Sequence, residues 1–264
     1  MSKDPIRLDL ALVRAGLAES RSRAQMLIGA GAVRVNGVAA TKPSQPVTDE
    51  ALEVEGNPLP WVSRAALKLV AALEHFELDP GGAIALDIGA STGGFTEVLR
   101  AHGARRVYAV DVGRGQLHAS VRADPGVVCL EGLDARNLTD EVVLPDWVVS
   151  DVSFISATKA LPVPLSLARP GAHAIILVKP QFELSPADIG KGGIVRSEEA
   201  RARACDRVRE FVTGEGWDVL GLIECPVTGS DGNQEYLLAA EKVTPPAMRL
   251  DPDAYSSSRA GPLR

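Results

Sequence analysis

The chain of 264 residues is 45% hydrophobic and 23% charged, enough for one substantial core plus a small module. No stretch approaches the ~20 apolar residues of a membrane helix, and Met1-Ser2-Lys3-Asp4-Pro5 has no hydrophobic leader, so a cytoplasmic protein with no membrane partner is expected. A net charge of −6 argues against nucleic-acid binding over the whole surface. Cys129, Cys205 and Cys225 are far apart and odd in number, which reads as buried thiols rather than disulfides or metal ligands. His75, His102, His118 and His173 are equally scattered, and no metal site is expected.

Positive charge gathers at the start of the chain. Residues 1–48 carry seven Lys and Arg against Asp4, Asp9 and Glu19. Arg7 to Ala15 has helical apolar spacing and ends at Gly16. Ser20 is placed to cap a second helix, Arg21 to Ala30, with Arg21 and Arg23 on its first turn. Val33-Arg34-Val35-Asn36-Gly37-Val38 reads as a hairpin with an Asn-Gly turn, and Ala51 to Val54 as a last strand. Four prolines between Thr41 and Pro60 put a boundary near Gly56. The expected division is a module over 1–56, a linker over 57–62, a main domain over 63–243 and a disordered tail over 244–264.

In the main domain Ser63 is expected to cap a helix, Arg64 to Phe76, that carries Lys68 in its early turns. A short apolar strand then runs into Asp87-Ile88-Gly89-Ala90-Ser91-Thr92-Gly93-Gly94-Phe95, a glycine-rich strand-to-helix turn of the kind that binds nucleotides in α/β folds. Arg106 to Val110 is a second strand ending in Asp111, the position for an acid on ribose hydroxyls. Val127 to Leu130 is a third, with Asp134 beyond it as an acceptor for an adenine amino group. Trp147 to Ser150 runs into Asp151, and Ala174 to Val178, after a helix from Ser156 to Ala168, delivers Lys179. Gly190-Lys191-Gly192-Gly193 is a lid or merely a connection before a charged helix, Ser197 to Thr213. Asp218 to Glu224 and Glu235 to Ala240 form a closing antiparallel pair. Alternating strands and helices imply a parallel sheet with right-handed crossovers.

By this topology Lys68, Asp151, Lys179 and Glu235 meet at the carboxyl-end face of the sheet, where Asp87 and Asp111 would hold a ligand. A helix running antiparallel to the first strand brings its N-terminal part, and Lys68, above that face. The hairpin brings Glu235 there from the other side. One such residue is more often a salt-bridge partner; four together make a site.

The N-terminal pattern, Arg-Leu-Asp-Leu-Ala-Leu-Val-Arg followed by the Ser-Arg helix start and Val-Arg-Val-Asn-Gly, resembles the S-four-type RNA-binding module. Asp87-x-Gly89-x-x-x-Gly93, Asp111 and the late antiparallel strand resemble S-adenosylmethionine-dependent methyltransferases. Lys68, Asp151, Lys179 and Glu235 match the Lys-Asp-Lys-Glu set of FtsJ-type ribose 2′-O-methyltransferases, and the combination with the N-terminal module resembles the TlyA family of rRNA methyltransferases, historically called hemolysins. Supporting blocks include Trp61-Val62-Ser63-Arg64, Ser150-Asp151-Val152-Ser153-Phe154 and Val178-Lys179-Pro180-Gln181-Phe182-Glu183. Asp134, where Asn is common, and Leu59-Pro60, in place of a more basic linker, depart from the pattern.

The resemblance implies a Rossmann-like α/β, seven-stranded methyltransferase domain beside a small α+β RNA-binding domain. It implies S-adenosylmethionine bound by Asp87, Gly89, Ala90, Ser91, Gly93, Gly94, Phe95, Asp111, Asp134 and Asp151, and RNA contacts by Arg7, Arg14, Arg21, Arg23 and Arg64. The implied reaction methylates the ribose 2′-hydroxyl of cytidine in ribosomal RNA of the large subunit, with the small subunit open as a second target. Lys179 acts there either as the base or as an orienting donor, in a protein that is a monomer or a weak dimer. A nicotinamide dehydrogenase would share the strand–turn–helix, but Gly-x-Gly-x-x-Gly is absent and Lys179 and Glu235 would be idle. A non-catalytic ribosome assembly factor leaves the four ionisable residues unexplained, and no amphipathic or spanning segment supports a membrane-lysing protein.

Overall fold

The computed structural model describes residues 4–56, 61–139, 144–190, 192–227, 229 and 232–244. Most of the expected linker, the tail beyond Thr244, and Lys191 lie outside the described residues.

The N-terminal module is built from β1 (Ile6–Arg7), α1 (Leu8–Arg14), α2 (Arg21–Gly29), β2 (Val33–Val35), β3 (Val38–Ala39), β4 (Pro46–Val47) and β5 (Leu52–Val54). Ser20 caps α2 by accepting from the Arg23 amide. The Asn-Gly hairpin forms, with Asn36 and Gly37 both at positive φ. Sequence reading placed Arg7 on the first helix; instead Ile6–Arg7 pairs with Pro46–Val47, and the helix begins at Leu8. Leu8, Leu12, Leu27, Ile28 and Val33 fill a separate small core.

The main domain follows with α3 (Ala65–Phe76), β6 (Ile84–Ile88), α4 (Gly94–Ala101), β7 (Arg106–Asp111), α5 (Ala119–Arg122), β8 (Val127–Glu131), β9 (Trp147–Ser150), α6 (Ala157–Ala160), α7 (Pro162–Leu167), β10 (His173–Val178), α8 (Pro180–Glu183), α9 (Glu198–Gly214), β11 (Trp217–Glu224) and β12 (Tyr236–Lys242). Among the described residues the strands form a seven-stranded sheet in the order β11-β12-β10-β9-β6-β7-β8. Pairings from β10 to β8 are parallel, and β12 is antiparallel to both of its neighbours. The central strands are buried on both faces, which is why β9 and β10 read as continuous apolar runs rather than alternating ones. One face packs on α6, α7 and α9, the other on α3 and α4.

Three local expectations are corrected. Ser63 does not cap α3: Arg64 holds the cap position without a side-chain bond, and the Ser63 hydroxyl packs at the start of α4 instead. The helix expected from Ser156 to Ala168 is two helices, because Pro162 cannot donate to the preceding turn and starts α7 afresh. Cys205 and Cys225 are buried, but Cys129 is only partly so.

Candidate active site

Strand register assembles the site. Ser150 lies opposite both Ile88 and Ile176, so the next residue, Asp151, emerges beside the turn after β6 and donates its amide to the Ile88 carbonyl (3.0 Å). Tyr236 lies opposite Val178, so Glu235 and Lys179 leave the sheet side by side. On α3, antiparallel above them, Lys68 reaches down to Glu235, Nζ to Oε2 2.5 Å. Lys179 Nζ lies 2.5 Å from Asp151 Oδ1 and donates to the Ser153 hydroxyl at 2.7 Å. The structure thus gathers the four sequence-selected residues as two adjacent ion pairs. Lys68, Lys179 and Glu235 are 8%, 7% and 3% exposed. Burial pushes the Glu235 carboxyl above its ordinary range, and the Lys68 ammonium pulls it back.

The glycines of the turn also serve the packing of the site itself. Gly89 has φ +81°, and a Cβ there would sit 3.0 Å from the Asp151 carbonyl oxygen, so glycine lets this turn close onto the chain that carries Asp151. A Cβ on Gly94 would overlap the Ser63 hydroxyl, so this glycine lets α3 approach α4 and fixes the height of Lys68 above the sheet. Gly93 is packed against Leu117 and Val121 rather than facing the cleft. Gly89, Ala90, Ser91, Gly94 and Phe95 do line the cleft.

Asp111 accepts from the amides of Ser91 (2.8 Å) and Gly113 (2.7 Å), tying the turn after β6 to the loop after β7. Asp134 is engaged by Arg136, whose guanidinium grips both carboxylate oxygens, so it is not the unencumbered acceptor that the sequence suggested. Asp87 lies under the turn, 0% exposed; its Oδ2 accepts from the Thr96 hydroxyl (2.6 Å) and its Oδ1 has no protein partner. Burial raises its pKa to about 7. An acid whose pKa is raised by folding binds its proton more tightly in the native state, so its contribution falls as pH rises from about 4 through 7. Asp87→Asn is therefore expected to raise the thermal midpoint at pH 8 and to narrow its advantage toward pH 5. Calorimetric scans across that range check it, and an advantage independent of pH would contradict the argument.

Several features escaped the sequence reading. Phe154 is 92% exposed with φ +64°, a backbone setting that costs a bulky residue free energy and so points to function. Its ring lies 5.3 Å from that of Phe182, over which Lys179 Nζ stands at 6.0 Å. No sequence signal marks a left-handed phenylalanine. His118, read only as one of four scattered histidines, contacts Glu19 of the N-terminal module (Nε2 to Oε2 2.8 Å). Arg23 donates to the Trp61 carbonyl (3.0 Å), a second contact between the module and the main domain. Arg7 and Arg21 both donate to Asp9, which is buried and also accepts from Gln25; Arg14 and Arg64 are exposed. These contacts hold the Asp9 carboxyl far below its ordinary range. In the described part of the segment after α8, Asn233 accepts from the Val195 amide and donates to the Gly193 carbonyl.

The cleft over the tetrad encloses about 1120 Å³ and continues to the N-terminal module, where Ser20, Arg23 and Met26 form part of its wall; Arg64 lines it as well. No group of three or more His, Cys, Asp or Glu is arranged to hold a metal among the described residues, and no described helix is long and apolar enough to cross a membrane.

A parallel sheet with one inserted antiparallel strand, an acid- and glycine-bearing turn after its first strand, and a lysine–carboxylate cluster over its carboxyl edge define a methyltransferase domain. Residues 61–242 match the FtsJ-like methyltransferase family, and residues 6–52 match the S4 domain. The chain is 47% identical over 236 residues to the 16S/23S rRNA (cytidine-2′-O)-methyltransferase TlyA of Mycobacterium tuberculosis, covering 88% of each chain. A solved structure of a Streptococcus thermophilus protein assigned as a hemolysin is 38% identical, with TM-score 0.73, and covers 92% of this chain and 90% of that one. A Listeria monocytogenes protein assigned as an S-adenosylmethionine-dependent methyltransferase, at 16% identity and TM-score 0.52, shares the fold over 69% of this chain and all of its own. This chain belongs to the FtsJ-like methyltransferases, in the TlyA family.

Proposed function

We propose that the protein methylates the 2′-hydroxyl of a cytidine ribose in ribosomal RNA, with S-adenosylmethionine as methyl donor, as a cytoplasmic enzyme acting on ribosomal RNA or ribosomal subunits. The observation that carries this is the pair of buried ion pairs, Lys179–Asp151 and Lys68–Glu235, in a cleft whose far wall is the basic N-terminal module. The name of the Mycobacterium tuberculosis relative supplies the nucleotide and the RNA. Residues 1–56 would bring the RNA, 63–243 would carry out the transfer, and 57–62 would join them.

The residues present fit the cofactor. The backbone of Gly89, Ala90 and Ser91 offers a lining, Asp111 retains lone pairs for ribose hydroxyls, and the unpaired Oδ1 of Asp87 underlies the turn. Asp134 reaches an adenine amino group only by sharing its oxygens with Arg136. When bound, S-adenosylmethionine supplies an activated methyl group on a positively charged sulfur. The chain's own task is to hold the ribose and receive a proton. A 2′-hydroxyl is a weak nucleophile, and Lys179 is the group placed to take its proton, held by Asp151 and Ser153 at the bottom of the cleft. Lys68 and Glu235 hold each other, which fixes a cation beside the ribose. The exposed Phe154 ring offers a base a stacking surface at the mouth.

The RNA-facing half is tested by charge reversal. Arg21→Glu with Arg23→Glu should weaken binding to ribosomal RNA by at least about tenfold at physiological salt, because each lost phosphate contact removes part of a salt-dependent affinity. Calorimetric affinity for S-adenosylmethionine should stay within about twofold, since both side chains lie on α2 of the module. Equal RNA affinity in the variant would remove the module from the proposal.

A further inference from the structure

We infer that Ser153 is a positioning residue for Lys179, whose hydroxyl receives a hydrogen bond from the lysine once the lysine has taken the ribose proton. The inference rests on the proposed role of Lys179. Ser153 is exposed at the cleft lining, yet its Oγ lies 2.7 Å from the Nζ of a lysine that is 7% exposed. The geometry that brings it there is unusual. Ser153 stands two residues beyond Asp151 and directly before Phe154, whose φ of +64° turns the chain sharply. Asp151 and Ser153 therefore approach the same nitrogen from one short loop.

An ammonium has three N–H donors and no acceptor. In the structure the nitrogen donates to Ser153 and lies in ion-pair contact with Asp151 Oδ1, so both groups crowd the same end of the lysine. To take the proton, the amine must present a lone pair to the ribose hydroxyl. In the transfer the ribose O–H bond breaks, a new N–H bond forms on Lys179, and the Ser153 O–H bond stays intact. The serine hydroxyl accepts from the ammonium formed and so stabilises the state in which the proton has arrived. Asp151 acts in the same direction on one side. From the neighbouring elements, Lys68 on α3 opposes it, Glu235 before β12 supports it, and the Cys225 thiol stays neutral because burial raises its pKa.

Losing that acceptor leaves the arriving proton without the hydrogen bond that steadies it. Ser153→Ala is therefore expected to lower kcat by roughly tenfold to a hundredfold, the worth of a hydrogen bond to a charged group. It should leave the KM for ribosomal RNA and the affinity for S-adenosylmethionine within about twofold. Ser153→Thr, which keeps the hydroxyl, should restore kcat to within about threefold. Methylation of ribosomal RNA at varied RNA concentration, with isothermal titration of the cofactor and Lys179→Ala alongside, reads all of these. Full-rate Ser153→Ala with inactive Lys179→Ala would overturn the role of Ser153 alone. So would a slow Ser153→Ala that threonine does not rescue, or one whose loss lies in KM rather than kcat. An active Lys179→Ala would overturn the reading of Lys179 on which this one stands.

Discussion

Lys179→Ala lowers the rate of methyl transfer by at least about a thousandfold and leaves S-adenosylmethionine binding within about twofold of the parent protein. The size follows from what a positioned proton acceptor contributes, commonly 10²–10⁴-fold, together with the loss of a cation held against the ribose oxygen. The persistence of binding follows from position: Lys179 follows β10, whereas the turn offered to the cofactor follows β6, with β9 between them in the sheet. The substitution also leaves the partly buried Asp151 without its ion-pair partner, so a matched variant, Lys179→Met, keeps the bulk of the side chain for comparison. Single-turnover methylation with saturating cofactor separates the chemical step from RNA binding. A variant within about tenfold of the parent rate would remove Lys179 from the centre of the mechanism.

Lys68→Met acts on stability as much as on activity. Glu235 is nearly inaccessible, and its carboxyl is already raised by burial; the Lys68 ammonium at 2.5 Å is the first favourable influence on its charge. Taking away one partner of a buried pair commonly costs ~3–5 kcal/mol, because the remaining charge has lost its water and its counter-ion together. For a domain of this size that corresponds to a thermal midpoint lower by about 10 °C at pH 8. The folded pKa of Glu235 would rise further, and stability held by a raised acid is lost as pH rises, so the deficit should shrink toward pH 5. Glu235→Gln in the same background removes the stranded charge and should recover most of the midpoint at pH 8. Calorimetry on the two variants checks both signs, and a deficit that is the same at pH 5 and pH 8 would mean that lost packing rather than an unpaired buried charge is responsible.

The order of elements was readable because it rests on local information. Apolar runs of strand length, each followed by an acid or a lysine, alternate with helical stretches, and that pattern alone requires a parallel sheet with its polar ends on one edge. The convergence of Asp151 and Lys179 follows from register, and that of Glu235 from the closing hairpin. Lys68 needed one further step, the direction of α3. The sequence left obscure what depends on a neighbour far along the chain. Ser63 looks like a cap because serine caps helices, but here its hydroxyl faces Gly94, thirty-one residues away, and the cap is lost. Arg7 and Arg21 read as free cations, whereas Asp9 gathers both, with Gln25, into a fixed fan. Asp134 reads as an acceptor, and Arg136, two residues on, shares its oxygens. The left-handed Phe154 and the Glu19–His118 contact have no counterpart in composition or periodicity at all.

These observations also change the meaning of the glycine-rich turn. Gly89 and Gly94 serve the assembly of the site more than the admission of a ligand: one lets the turn close onto the chain bearing Asp151, and the other brings in the helix bearing Lys68. A methyl group at Gly89 would press on the backbone of Asp151, and one at Gly94 on the Ser63 hydroxyl and the start of α3.

The account as a whole is tested most directly by incubating the purified protein with ribosomal subunits and isotopically labelled S-adenosylmethionine, digesting the RNA to nucleosides and weighing the labelled product. Label on the ribose of 2′-O-methylcytidine, absent when Lys179→Ala replaces the parent protein, is the result expected. Label on a nucleobase, or ribose label that survives the Lys179 substitution, would contradict it.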